Sequence, residues 1–150
     1  MSNEPVAILH VEDNQDHANL IARGLRKHDA DLEIHLAEDG EAALDYLLRR
    51  GKYQNPASVP QPQLILLDLR LPKLDGLEVL RVVKTDKRLL PIPVVVLTSS
   101  DAENDVAKAY EYHANSYLVK PVDFPALTQM MRELGTYWLG WNRYPGAECA

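Results

Sequence analysis

Residues Leu64 to Gly76 constrain this chain more than any other stretch: Leu-Ile-Leu-Leu-Asp-Leu-Arg-Leu-Pro-Lys-Leu-Asp-Gly. Four apolar residues run into a single carboxylate, Asp68. A continuous apolar run between turn signals reads as a strand buried on both faces. Pro60 and Pro62 close off what precedes it, and Pro72, Asp75 and Gly76 mark a loop and then a helix start. Asp68 is therefore expected at the carboxyl end of a central parallel strand, the edge where open α/β sheets bind ligands. An acid buried there is costly unless a positive group meets it.

The remaining elements follow from periodicity. Val6 to Val11 reads as a first strand ending in Glu12-Asp13-Asn14, and a helix follows from about Asn14 to His28. Leu32, Ile34 and Leu36 alternate with Glu33 and His35, the period of a half-exposed edge strand. A second helix opens at Asp39-Gly40, with Arg49 and Arg50 in its last turn and Gly51 as its stop. Lys52 to Gln63 is expected to be an exposed excursion. After the central strand come a helix (about Gly76 to Thr85), a strand running from Val94 into Thr98, and a helix (about Asp101 to Ala114) with Val106, Ala109 and Tyr110 facing the core. A short strand, Tyr117 to Val119, leads into Lys120-Pro121, and a last helix starts near Asp123. Strands alternating with helices predict the α/β class: a (βα)5 doubly wound, five-stranded parallel sheet of order 2-1-3-4-5 with an extended C-terminal helix and tail. Residues 1–150 are expected to form a single domain, with a core at about 6–134 and an aromatic tail at about 135–150.

The strand ends then converge. The first offers Glu12 and Asp13, the third Asp68, the fourth Thr98 and the fifth Lys120. Each has a local role open to it: Asp13 and Thr98 as helix caps, Asp68 as a turn former, Lys120 as a solvated charge. Their coincidence at one sheet edge argues for chemistry. Carboxylates crowded together repel, and a divalent cation relieves the repulsion. Hard oxygen ligands without a His or Cys cluster suit Mg²⁺, for which Mn²⁺ or Ca²⁺ could substitute. Asp68 can act as a nucleophile to form an aspartyl-phosphate, with the metal and Lys120 neutralising the phosphoryl oxygens and Thr98 bonding one of them. The five histidines show no ligand spacing and are expected to be solvated or satisfied locally.

A net charge of -6 argues against nucleic acid as a partner. No apolar run approaches a membrane span. Met1 to Pro5 has no signal-peptide pattern, and a single cysteine, Cys149, suits a reducing, cytoplasmic setting.

Val-Glu-Asp-Asn, Leu-Asp-Leu-Arg-Leu-Pro-Lys-Leu-Asp-Gly, Val-Val-Leu-Thr-Ser and Tyr-Leu-Val-Lys-Pro together resemble the receiver domains of two-component response regulators, over about Val6 to Leu134. The resemblance implies that Asp68 is the phosphoacceptor and that Asp13 and Asp68 ligate Mg²⁺ directly, with the Arg70 backbone carbonyl as a third ligand. Glu12 would act mainly through a metal-bound water. Thr98 would be the switch hydroxyl, Tyr117 the aromatic that moves with it, and Lys120 the phosphate-binding lysine, followed by a cis bond to Pro121. Arg70 and Ser100 occupy positions that tune hydrolysis of the phosphoaspartate in this family. The phosphodonor would be a sensor histidine kinase. The long Lys52 to Gln63 connection, the Leu-Pro-Lys-x-Asp-Gly wording and the tail from Tyr137 also resemble the small regulators that serve bacterial and cyanobacterial phytochrome kinases.

Such a chain is not a metabolic enzyme. Its activity would be self-catalysed phosphoryl transfer to Asp68 and slow autodephosphorylation. Arg70 stands where an aspartate-nucleophile phosphatase needs a second acid, which counts against that class. The alternative is a phosphate-independent interaction domain on the same fold. No DNA-binding domain is expected, so output would pass through the surface. Leu127, Met131, Leu134, Trp138 and Trp141 alternate by four and three, a short heptad stripe. Leu127, Met131 and Leu134 are expected to pack on the sheet, and an aromatic stripe continuing through Trp138 and Trp141 predicts a homodimer through the last helix and the adjoining fourth-helix and fifth-strand face, with Leu134, Trp138 and Trp141 at the interface.

Overall fold

In a computed structural model, which describes residues 6–55 and 59–144, five parallel strands form one sheet of order β2-β1-β3-β4-β5. The strands are β1 (Ala7–Val11), β2 (Glu33–Ala37), β3 (Leu64–Leu67), β4 (Val94–Thr98) and β5 (Ser116–Val119). The helices are α1 (Gln15–His28), α2 (Gly40–Leu47), α3 (Gly76–Thr85), α4 (Glu103–Glu111) and α5 (Phe124–Gly135). Met1 to Pro5 and Cys149 lie outside the described residues.

The period of two along the strands divides the core. Leu9, Val11, Ile65, Leu67, Val94 and Val96 face α2, α3 and α4. Ile8, Leu64, Leu66, Val95 and Leu97 face α1 and α5, where Ile21, Leu25, Leu127 and Met131 close the second layer. Both faces are thus buried on β1, β3 and β4, which explains hydrophobic runs interrupted only by His10 in β1 and ended by Thr98 in β4. The edge strand β2 is exposed or half-buried over most of its length, which explains its alternation. Three helices begin on side-chain caps: Asn14 accepts from the His17 N–H, Asp39 from Ala42 and Asp75 from Leu77.

Several expectations are corrected. The second helix ends at Leu47, and its left-handed residue is Arg49 (φ 57°) rather than Gly51 alone. The Arg50 N–H bonds Asp45 O and the Arg49 N–H bonds Tyr46 O, a Schellman closure. The Arg49 guanidinium also donates to Val59 O at 2.7 Å, and the Tyr46 hydroxyl to Pro60 O at 2.8 Å. Val59 and Pro60 are therefore fastened to α2, with Val59 buried, so this part of the 52–63 connection is not an exposed excursion. Tyr110 points to solvent, because the face of α4 that meets the sheet is narrow and only Ala109 on it is buried. The Lys120–Pro121 bond is trans; no cis bond occurs among the described residues. Trans is the lower-energy form even before proline, and the Lys120 N–H is placed by its bond to Thr98 O at 2.7 Å.

The heptad stripe also breaks. Leu127, Met131 and Leu134 are buried in the core, as expected of residues that pack on the sheet. Beyond Gly135 the chain enters a π-helical turn, Thr136–Trp141, closed by the Asn142 N–H on Tyr137 O at 2.7 Å. The wider turn shifts the register. Trp138 packs against the α1/α5 core, while Trp141 is 78% exposed.

Candidate functional site

The ladder of the sheet continues one residue past the strands and aligns the site. The Asp68 N–H bonds Val11 O at 3.0 Å, and the Lys120 N–H bonds Thr98 O. The backbones carrying Glu12, Asp68, Thr98 and Lys120 are thus held side by side at the C-terminal edge. Gly76 lets the loop after β3 fold back: a Cβ there would stand 2.3 Å from Asp68 O and 2.6 Å from the Leu69 Cα.

The Asp68 side chain is almost wholly buried and fully engaged. Its Oδ1 accepts from the Thr98 hydroxyl at 2.7 Å and from the Arg70 N–H at 3.1 Å. Its Oδ2 accepts from Lys120 Nζ at 3.0 Å. Burial pushes the carboxyl pKa up, but the Lys120 charge and these hydrogen bonds outweigh it and hold Asp68 below its ordinary value. A carboxyl held there is ionised at neutral pH.

Lys120 also donates a short bond to Glu12 Oε1. Burial raises the Glu12 pKa to about 7 against the pull of that lysine. Glu12 Oε2 accepts from the Asn14 N–H at 3.2 Å. Asp13 is exposed, and one carboxylate oxygen each from Glu12, Asp13 and Asp68 lie within 4.8 Å of one another. Three hard-oxygen ligands, two buried and one open to water, fit a hydrated Mg²⁺-class ion. The Arg70 backbone stands two residues past Asp68, and its N–H is bonded to Asp68 Oδ1 beside this cluster.

Arg70 itself turns outward. Its guanidinium makes a short ion pair with Asp105 at the start of α4. Asp105 also accepts a hydrogen bond from Ser100 Oγ at 2.5 Å. Tyr117 is half-buried against the α2–α4 side and donates to Ser100 O at 2.8 Å. Residues 98–105 are therefore tied to the sheet by Thr98, Tyr117 and Arg70.

Two site residues escaped sequence reasoning. His17 Nδ1 lies 3.1 Å from Lys120 Nζ. His10 is fully buried on β1, 4.0 Å from Glu12 Oε1, and burial lowers its pKa to about 3. His17 is three residues past the helix-capping Asn14, so its place in the first turn of α1 beside the carboxyl edge was legible; its pairing with Lys120 was not. His10 lies two residues before Glu12, on the same face of β1.

A parallel 2-1-3-4-5 sheet with its polar cluster at the carboxyl edge defines a flavodoxin-like α/β protein. Within that class the chain belongs to the response regulator receiver domain family, whose pattern matches residues 8–132. It is 48% identical over 146 residues to "Probable methanogenesis regulatory protein FilR2" of Methanothrix harundinacea, covering 97% of this chain and 91% of that one. It is 42% identical to response regulator Rcp1 of Synechocystis, over 97% of both chains. The crystal structure of Mn²⁺-bound Rcp1 superposes with a TM-score of 0.89 at 41% identity, covering 95% of this chain and all (100%) of that one. The phosphorylated cyanobacterial phytochrome response regulator RcpA gives 0.90 at 38% identity, over 95% of this chain and 100% of that one.

Proposed function

We propose that this receiver accepts a phosphoryl group on Asp68 from a sensor histidine kinase in a Mg²⁺-dependent reaction and signals by rearranging residues 98–117. One observation carries the reading: both oxygens of a buried, ionised Asp68 are held by Thr98 and Lys120, within reach of Glu12 and Asp13.

Glu12, Asp13, Asp68 and the Arg70 carbonyl would hold the metal, which when bound supplies positive charge to phosphoryl oxygens. The remaining work falls to the chain. An Asp68 carboxylate oxygen attacks phosphorus of the kinase phosphohistidine; the P–O bond forms as the P–N bond breaks, and the imidazole leaves and takes up a proton. Lys120 neutralises charge on the transferred group. Once an Asp68 oxygen is esterified, the Thr98 hydroxyl has a stronger acceptor in a phosphoryl oxygen. Its movement would draw on the segment that Tyr117 and Arg70 hold, which makes Thr98 and Tyr117 the switch.

Likeness to Rcp1 and RcpA supports a phytochrome-type sensor kinase as the donor; likeness to FilR2 favours a second reading, a kinase answering another stimulus. A homodimer would form through the exposed end of the C-terminal segment around Trp141. No helix among the described residues is long and apolar enough to cross a membrane. The test is phosphotransfer from a purified, autophosphorylated bacteriophytochrome kinase. Label appearing on wild type and absent from Asp68→Asn is expected. Label from acetyl phosphate but none from the phytochrome kinase would favour the second reading.

A further inference from the structure

Lys120 carries an ammonium with three donor hydrogens and no more. The structure gives it three acceptors: Glu12 Oε1, Asp68 Oδ2 at 3.0 Å and His17 Nδ1 at 3.1 Å. Two of the three belong to the acidic cluster. The third does not, and it is built in. Asn14 caps α1 by accepting the His17 N–H at 3.1 Å, which fixes the backbone. The His17 ring stands edge-on to Phe124, centroids 6.4 Å apart at 89°, which fixes the plane. A ring nitrogen aimed at an ammonium must be the unprotonated one. His17 is therefore the neutral tautomer carrying its hydrogen on Nε2. Burial and the Lys120 charge both act to keep it neutral.

We propose that His17 is a positioning residue for phosphoryl transfer: its Nδ1 anchors the Lys120 ammonium while the lysine exchanges Asp68 Oδ2 for a phosphoryl oxygen. The inference rests on Asp68 being the acceptor. When phosphorus joins Asp68, the Lys120–Asp68 bond gives way to a Lys120–phosphoryl bond. Glu12 is among the carboxylates that would hold a bound cation. His17 is the one acceptor of the three whose own bonding does not change. It leaves the ammonium one direction short of free, pointed at the group that arrives. Without it the long, flexible lysine stem sweeps a wider arc, and alignment is lost as entropy.

The experiment compares wild type, His17→Asn and His17→Leu. Asn places a carbonyl oxygen where Nδ1 was; Leu places a methyl there. Two readouts are taken at saturating Mg²⁺: the affinity for beryllofluoride, and the rate of adduct formation with acetyl phosphate followed by intact mass. The loss of one hydrogen bond to a charged group predicts that His17→Leu falls on the order of tenfold in both. His17→Asn should stay within about twofold of wild type, a rescue that a purely structural role would not give. Equal behaviour of all three proteins, or an Asn variant as impaired as the Leu variant, overturns the inference. Carbon-13 shifts of the His17 ring in wild type give a check that needs no variant. The Nε2–H tautomer is expected, and the Nδ1–H tautomer overturns the inference. A wild type that binds neither reagent would instead overturn the receiver chemistry on Asp68 itself.

Discussion

Thr98 donates its hydroxyl to Asp68 Oδ1 at 2.7 Å, across two adjacent strands and with both side chains buried. A neutral hydroxyl on a carboxylate is a charge-assisted bond, shorter and stronger than a neutral pair. It joins the candidate acceptor to the end of β4, and so to the segment that Tyr117 fastens through Ser100. Replacing Thr98 with Val keeps the shape and removes the donor. Thr98→Val should still form an adduct on Asp68, at a rate lower by about tenfold. Adduct formation should no longer shift the NMR signals of Tyr117 or Ser100. Thr98→Ser should restore both. Full coupling in Thr98→Val would contradict this role.

Gly76 makes the loop after β3 possible, since any Cβ would collide with the backbone of Asp68 and Leu69. Backbone atoms cannot swing aside as a side chain can. Gly76→Ala should lower stability by about 1–3 kcal/mol in urea unfolding and slow phosphorylation with it. Gly51→Asn should cost far less: its φ of +58° is one that Asn tolerates, and nothing lies within 4 Å of the new Cβ.

Arg70 spans from the loop after Asp68 to Asp105 on α4, and so ties the chain after β3 to the chain after β4. The guanidinium is 62% exposed, so the pair adds little to stability, about 0–1 kcal/mol. Its effect should be kinetic. Arg70→Met should leave the melting temperature nearly unchanged and shorten the lifetime of the phosphoaspartate, because the tie between the two chain segments flanking Asp68 is lost. A longer lifetime would mean that Arg70 draws water in.

The two tryptophans separate by their surroundings. Trp138→Ala removes a ring packed on the core and should lower the melting temperature. Trp141→Ala should leave stability intact and convert a dimer to a monomer in light scattering. An unchanged mass would reject Trp141 as an interface residue.

Lys84 offers a pH test. Its ammonium is buried and donates to the carbonyls of Leu90 at 3.0 Å and Ile92 at 2.8 Å. Burial lowers its pKa from the ordinary 10.5. Between the lowered value and 10.5 the unfolded chain binds a proton that the folded chain has released, so stability from this group rises with pH. Urea unfolding should therefore show wild type gaining on Lys84→Met as pH rises toward 10.5. A constant difference would mean that Lys84 titrates alike in both states.

How much was legible in the sequence depended on range. The strands at Leu64–Leu67 and Val94–Thr98 declare themselves because both faces are buried, and β2 because one is not. The sheet order then carries Glu12, Asp68, Thr98 and Lys120 to one edge without further information. What stayed hidden depends on contacts between residues distant in sequence. His17 meets Lys120 across 103 positions, a pairing no periodicity encodes. Arg49 takes a left-handed conformation that Gly51 advertised, because its side chain finds Val59 O. The π turn after Gly135, where Gly135 and Gly140 lie against His28, keeps Trp138 on the α1/α5 core and leaves Trp141 exposed, a parting that the regular stripe does not encode.

The central claim is that Asp68 takes a phosphoryl group with the help of its neighbours. Intact-mass spectrometry after incubation with acetyl phosphate tests it most directly, on wild type and Asp68→Asn, with Mg²⁺ and with EDTA. One phosphoryl adduct on wild type with Mg²⁺, and none on Asp68→Asn or in EDTA, is the result expected. A wild type that stays unmodified with Mg²⁺, or an adduct that survives in Asp68→Asn, would contradict it.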